Sequence, residues 1–196
     1  MRLLLASRSA ARRRMLEAAG VPFEAVASGA DEDGVKAALK EQGLGGAALA
    51  AGLAEAKAAG VVADEALVLG SDQVLELEDG ASLDKPASRN EALAQLRGLS
   101  GRAHKLHAAA CLMEGGQVVW RDVETVTIHV RPLGEAFLWD YLDREWEQVR
   151  WSVGAYHVEG RGAQLFERIE GSLFAVQGLP LLPLLAALRD RGVLVS

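Results

Sequence analysis

Cysteine is nearly absent: Cys111 is the only one among 196 residues. No intrachain disulfide can form, and no cysteine-based zinc site exists. Aromatic residues make up 5% of the chain, which leaves little stacking surface for single-stranded nucleic acid. Excess positive charge is missing as well. Lys and Arg number 21 against 27 Asp and Glu, a net charge of −6 that argues against bulk electrostatic binding to DNA or RNA. No apolar run approaches the roughly 20 residues of a membrane span. The N-terminus lacks the long apolar core and small-residue cleavage site of a secretory signal. These absences predict a cytoplasmic protein with neither a membrane nor a nucleic acid polymer as partner. What is present is a chain that is 50% hydrophobic, sufficient for a sizeable core in one domain over residues 1–196.

The basic residues must then act locally, against small anions, and the N-terminal segment shows how. An apolar run, Leu3-Leu4-Leu5-Ala6, stops at Ser7-Arg8-Ser9; after two alanines come Arg12-Arg13-Arg14 and then Met15-Leu16. The pattern predicts a buried strand, a hydroxyl-rich turn and a basic helix. Free N–H groups and the dipole make a helix N-terminus attractive to anions. Arginine at such a start opposes the dipole and needs a compensating anion. Ser7, Ser9, Arg12 and Arg13 are therefore a candidate phosphate cradle, the plain alternative being a solvated first turn.

Further strands are predicted at Phe23–Ala27, Ala66–Gly70, Gln73–Leu77, Ala103–Met113 and Gln117–Val130, with a last one at Val193–Val195. Helices are predicted at Ala10–Ala19, Ala47–Ala59, Arg89–Leu99, from Pro132 to about Tyr141, and from Pro180 to Arg191. Asp79-Gly80 and Glu114-Gly115-Gly116 read as hairpin turns, and Gly154 to Gly178 as an ordered binding loop. Hairpins mixed with crossovers predict an α/β fold: a mixed twisted sheet flanked by helices, in two lobes around a cleft.

Several polar sets carry chemistry. Asp72, in Gly70-Ser71-Asp72-Gln73, is placed at a strand end, where it can deprotonate water or hold a divalent metal; a turn-capping aspartate is the bland alternative. Lys57 and Lys85 suit phosphate, although most lysines only solvate a surface. Asp31-Glu32-Asp33 offers a carboxylate to Mg²⁺ or is an ordinary acidic loop. In Tyr156-His157-Val158-Glu159-Gly160-Arg161-Gly162 the glycines admit a flat ligand, and Glu159 can accept the paired N–H donors of guanine. The four histidines show no metal-ligand spacing, and His104 and His107 fall on opposite faces of their strand.

Taken in order, these pieces resemble the Maf family of nucleoside triphosphate pyrophosphatases. The resemblance runs from Leu5-Ala6-Ser7-x-Ser9 and Arg12-Arg13 through Asp31-Glu32, Leu53-Ala54-x-x-Lys57-Ala58, Gly70-Ser71-Asp72-Gln73-Val74 and Lys85-Pro86. It continues with Leu99-Ser100-Gly101-x-x-His104, Gly154-Ala155-Tyr156, Glu159-Gly160-x-Gly162, Ile169-x-Gly171 and Val176-x-Gly178-Leu179-Pro180, nearly the whole chain. It implies hydrolysis of a nucleoside triphosphate to the monophosphate and pyrophosphate with a divalent metal, Mg or Mn. It also implies the α/β cleft fold of the inosine-triphosphate pyrophosphatases, and a homodimer. The family's proton acceptor falls on Asp72, its phosphate ligands on Ser9, Arg12, Lys57 and Lys85, and its acidic loop residue on Glu32, so that Glu32 and Asp72 are the metal candidates.

Three positions, Ala11, Gln73 and Glu159, distinguish branches. The dTTP/UTP pyrophosphatase branch has Arg, Thr and Gln there; the 7-methyl-GTP pyrophosphatase branch has an apolar residue, Gln and Glu, which this chain resembles more. Ala10 replaces the proline usual after Ser9, and the small Ala11 leaves the base pocket roomier than the larger residue often found in that branch. A dTTP/UTP enzyme, or a nucleotide-binding cell-division regulator without turnover, are the alternatives.

Overall fold

The computed structural model describes residues 1–195. Its strands are β1 (Arg2–Ala6), β2 (Glu24–Val26), β3 (Ala66–Glu76), β4 (Ser82–Leu83), β5 (Ala103–Glu114), β6 (Gln117–Val130) and β7 (Phe166–Glu170). Its α-helices are α1 (Ala10–Ala18), α2 (Glu32–Glu41), α3 (Gly46–Ala59), α4 (Arg89–Leu99), α5 (Glu135–Val149), α6 (Leu173–Val176) and α7 (Leu181–Asp190). The strands form one mixed sheet in the order β2-β1-β3-β5-β6-β7, with β4 pairing β3 off that path. β1 is parallel to β2 and β3; the other pairings are antiparallel. This is the mixed α/β sheet flanked by helices that the sequence predicts.

β1 is buried from Leu3 to Ala6, as a strand covered on both faces must be. Leu3, Leu5, Leu67 and Leu69 pack against α1 and α7 through Met15, Leu16, Leu184 and Leu188. Leu4, Ala6, Val68 and Val74 pack on the opposite face against Leu49, Leu53, Ala54 and Ala58 of α3. A third core joins β5 and β6 to α4 and α5 through Leu93, Leu96, Leu138, Tyr141 and Leu142.

Two features of β3 position the site. Its parallel ladder with β1 ends at Ala6↔Gly70, while β3 continues to Glu76 beside β5. β4 rejoins it only at Leu75↔Leu83, so the edge around Asp72 is open. The second is Gly70. A Cβ there would lie 2.1 Å from the Ala54 carbonyl oxygen and 2.6 Å from the Ala58 nitrogen. The missing side chain lets the α3 backbone lie directly on the strand.

The structure corrects the sequence reading at several places. Ala66–Gly70 and Gln73–Leu77 are one strand, so Asp72 lies inside β3; the β5 ladder overrides the turn-like Gly-Ser-Asp signal. It is β1 that ends there. The acidic triplet is not a loop but the start of α2, with Asp31 as N-cap accepting from the Gly34 N–H at 3.1 Å. α5 continues past Tyr141 to Val149 because Tyr141, Leu142 and Val149 keep its buried stripe. The loop from Gly154 to Gly178 contains β7 and α6. Val193–Val195 adds no strand; Val193 and Leu194 instead pack against the α1/α7 core. Among the described residues, no helix is long and apolar enough to cross a membrane.

Candidate active site

Alternation along β3 sends Asp72 toward α3. There the Lys57 ammonium donates to Asp72 Oδ1 at 2.7 Å and stands 3.0 Å from Glu32 Oε2. Lys57 is buried in the last turn of α3, where a cation complements the helix dipole. Glu32 opens α2, where an acid does the same. Three residues from distant parts of the chain thus form one carboxylate–ammonium–carboxylate cluster. Ser28 braces it by donating its hydroxyl to the Lys57 carbonyl at 2.9 Å.

The N-terminal cradle approaches from the other face of the sheet. Ser9 caps α1, its Oγ accepting from the Arg12 N–H at 3.4 Å. Ser7 Oγ accepts from the Ser9 N–H at 3.2 Å and from Arg12 Nη1 at 3.4 Å. Arg12 also donates from Nε to the Gly178 carbonyl at 2.8 Å and from Nη1 to the Ser71 carbonyl at 2.9 Å. These bonds fix the guanidinium and leave its Nη2 edge for a ligand. Burial lowers the pKa of Arg12, while Asp72 and then Glu32 oppose the shift, so the cradle and the carboxylate cluster feel each other. Lys85 follows β4, and its pKa is lowered by desolvation first, then by Lys57 and Arg12, against Asp72 and Glu32. Arg12 and Lys57 therefore meet at the open edge of β3, and Lys85 follows the short strand β4 that pairs with β3.

The remaining sequence-derived residues are placed differently. Arg13 is exposed and Ala11 half-buried on α1. Gln73 points away from Asp72, and its amide donates to the Ala175 and Val176 carbonyls at 2.8 and 3.0 Å, fastening α6 to the sheet. Exposed Glu159 pairs with Arg14 at 3.4 Å. Cys111 is buried, which pushes its thiol up to about 11.

Sequence reasoning missed two contributors. Ser71 is fully buried and donates its hydroxyl toward the Ala109 and Gly178 carbonyls at 2.7 and 3.1 Å, tying the glycine-rich segment to β3. Lys36, on α2, pairs with Asp84 beside Lys85. The signal for α2 was present: a capping aspartate, then Glu32, Lys36 and Lys40 at fourfold spacing with Val35 and Leu39 between them.

Asp72 and Glu32 offer hard oxygen donors on either side of one cationic point. That chemistry fits a magnesium-type ion shared with substrate phosphates, which needs only one or two carboxylates from the protein. Among the described residues no group of three or more Asp, Glu, His or Cys side chains is arranged to hold an ion by itself.

Fold and site define a mixed α/β protein in which cations gather around paired carboxylates at an open sheet edge, an arrangement for a polyanionic ligand. Residues 2–191 match the family model described as Maf-like protein, and the chain belongs to the Maf family. It is 42% identical over 195 residues to a nucleoside triphosphate pyrophosphatase of Sphingopyxis alaskensis, covering 98% of each chain. It is 46% identical over 194 residues to a 7-methyl-GTP pyrophosphatase of Rhizobium meliloti, covering 98% of this chain and 97% of that one. A solved nucleoside-triphosphatase / dITP/XTP pyrophosphatase from Mycobacterium abscessus aligns over 66% of this chain and 73% of its own, at 20% identity and a TM-score of 0.29. The fold assignment stands on the sheet order described above.

Proposed function

We propose that the protein hydrolyses a nucleoside triphosphate to the monophosphate and pyrophosphate, with 7-methyl-GTP or a related modified purine nucleotide as substrate. The observation that carries the reading is the Asp72–Lys57–Glu32 cluster at the open edge of β3. The relatives named for this reaction support it over nearly the whole chain.

Asp72 accepts the proton of a water directed at the α-phosphorus. Arg12, Lys57 and Lys85 neutralise the charge that shifts onto the bridging and terminal oxygens, the main contribution a protein makes to such transfers. Ser7, Ser9 and Arg13, with the free N–H groups of α1, bind phosphate oxygens. Glu32 and Asp72 would hold Mg or Mn, which supplies charge neutralisation and water activation when bound. Lys57, which contacts both carboxylates, is placed to reach a phosphate chain that lies against them.

For the base, Glu159 accepts the N1–H and N2–H₂ donors of guanine, a paired contact worth roughly 1–3 kcal/mol of discrimination. The positive charge added by N7-methylation favours the same carboxylate. Thymine and uracil present an acceptor–donor–acceptor edge that an amide would read better. Cytoplasmic location and a homodimer complete the reading, with exposed Trp139 and Trp151 as anchors of the shared surface; sedimentation of the wild type tests the dimer.

The direct test is pyrophosphate release from 7-methyl-GTP, GTP, dTTP and UTP by wild type and Asp72→Asn. Preferential hydrolysis of the methylated purine, abolished by the substitution, is expected. Preference for pyrimidines overturns the role of Glu159, and equal turnover by both proteins overturns that of Asp72.

A further inference from the structure

A fourth cation borders the site. Lys36 lies one helical turn after Glu32 on α2, and residues at that spacing share a face of a helix. Glu32 reaches Lys57 at 3.0 Å, so this face is turned to the site. Lys36 itself pairs with Asp84, the residue before Lys85. An alternating belt results: Asp72, Lys57, Glu32, Lys36, Asp84, Lys85.

We infer that Lys36 is a further substrate-binding residue, which exchanges Asp84 for the phosphates distal to the bond that is cleaved. The inference rests on the triphosphate reading above.

The exchange is energetically open. Asp84 is mostly exposed, and ion pairs with a solvated partner contribute little net stability, so a phosphate chain of higher charge displaces it at small cost. The Lys36 ammonium is held below the ordinary lysine pKa by desolvation first and by Lys40 next. Asp72 and Asp33 oppose this, and Lys85 adds to it. Those neighbours include the catalytic carboxylate and the flanking lysine, so Lys36 belongs to the same electrostatic basin.

Position selects the distal phosphates. Lys57 sits on Asp72, where the α-phosphorus is attacked, and on Glu32, whereas Lys36 lies one turn of α2 beyond Glu32, on the order of 5 Å from it along the helix. A triphosphate facing Asp72 with its α-phosphate extends its other two over a distance of that order. α2 has no fully buried residue and rests on α3 partly through Leu39 against Gly52, so it can adjust as the pyrophosphate portion enters and leaves.

The test uses inorganic pyrophosphate and the nucleoside monophosphate as separate probes, each titrated calorimetrically in the presence of magnesium. Lys36→Ala should weaken pyrophosphate binding about tenfold, as expected for loss of one charge-assisted contact, and leave monophosphate binding within about twofold. The KM for the triphosphate should rise in proportion while kcat stays close to wild type. Lys36→Arg should restore most of the affinity, and Asp84→Asn, which frees Lys36, should tighten pyrophosphate binding severalfold. Arg189→Ala, exposed on α7 and outside the belt, should leave all of these values unchanged.

Equal weakening of both probes by Lys36→Ala, or no weakening of either, overturns the inference. So does unchanged pyrophosphate binding by Asp84→Asn, a result that stands even if α2 is disturbed in the Lys36 variants. If wild type releases no pyrophosphate from any triphosphate, the proposed function fails. If it does and Lys36→Ala is indifferent to pyrophosphate, only the assignment of Lys36 fails.

Discussion

The two faces of β3 use similar residues in opposite ways. Toward α3, Asp72 meets Lys57 and through it Glu32, so charged side chains bond to charged side chains. Toward α6 and the glycine-rich segment, Ser71 and Gln73 donate to the carbonyls of Ala109, Gly178, Ala175 and Val176, and Arg12 joins them on Gly178. The difference lies in what can be exchanged. A phosphate or a metal can replace one partner in an ionic cluster and leave every group satisfied. A scaffold carbonyl that loses its side-chain donor gains no exchangeable partner in its place, at a cost of about 1 kcal/mol for the lost bond. The α3 face is therefore suited to chemistry and the opposite face to holding the binding loops in place.

Asp72→Asn should separate the faces most sharply. Loss of the proposed general base is expected to lower kcat about 10³-fold. Thermal stability should move little, because Lys57 retains Glu32. Steady-state kinetics and a melting curve on the same preparation measure both. A melting-point drop comparable to that of a scaffold variant would erase the distinction.

The next effect is led by the scaffold face. His104 follows the same alternation on β5 as the partners of Ser71 and Gln73, and its Nε2 meets the Tyr156 hydroxyl at 2.7 Å. Burial, with a smaller push from His129, lowers its pKa from 6.5 to about 4. Folded His104 is thus neutral over a range in which the unfolded chain takes up a proton. Stability must rise with pH between those values and be lost as pH falls from about 6.5 to about 4, on the order of 3 kcal/mol in all. His107 and His157, also lowered by burial, add slope of the same sign. Urea unfolding at pH 7 and pH 5 should show this slope, and His104→Gln should flatten it. An unchanged slope in the variant would remove His104 from the account.

How much of this was legible in the sequence follows the same division. The strand–turn–helix opening, both hairpins and the pairing of Asp72 with Glu32 could be read because each rests on local pattern or on the family resemblance. Lys57, read only as a phosphate ligand, turns out to link the two carboxylates. The interior position of Asp72 was not legible, since Gly70-Ser71-Asp72 carries turn chemistry and only the β5 ladder, from Leu67↔Glu114 to Glu76↔Lys105, holds it extended. α2 was missed because its three acids resemble a solvated loop, and its apolar stripe of Val35 and Leu39 is thin. Bonds from side chains to distant carbonyls leave no periodic signature. Ser71, 107 positions from Gly178, is therefore invisible to any local reading. Ser71→Ala should lower stability by about 1–2 kcal/mol, visible in the denaturation midpoint, with little loss of kcat. A large loss of kcat at unchanged stability would move Ser71 into the site.

Gln73 tests the comparison at its weakest point, because the family resemblance ties this position to base choice while the structure places its amide on α6. The two roles separate cleanly. If the amide serves the scaffold, Gln73→Leu removes the side-chain donor from the buried Ala175 and Val176 carbonyls, the first of which keeps the Gly178 N–H at 3.0 Å. The penalty is then about 1 kcal/mol, or a melting shift of about 2–4 °C for a chain of this size. The ratio of kcat/KM for 7-methyl-GTP over dTTP should stay within about twofold, since no contact to the base has been removed. Glu159→Gln is the matched control: it is exposed and outside the scaffold, and loss of a paired base contact should change that ratio about tenfold or more without moving the melting point. If instead Gln73→Leu alters the ratio as strongly as Glu159→Gln, the amide must leave α6 when nucleotide binds. The face opposite Asp72 would then be a reader of the base as well as a support.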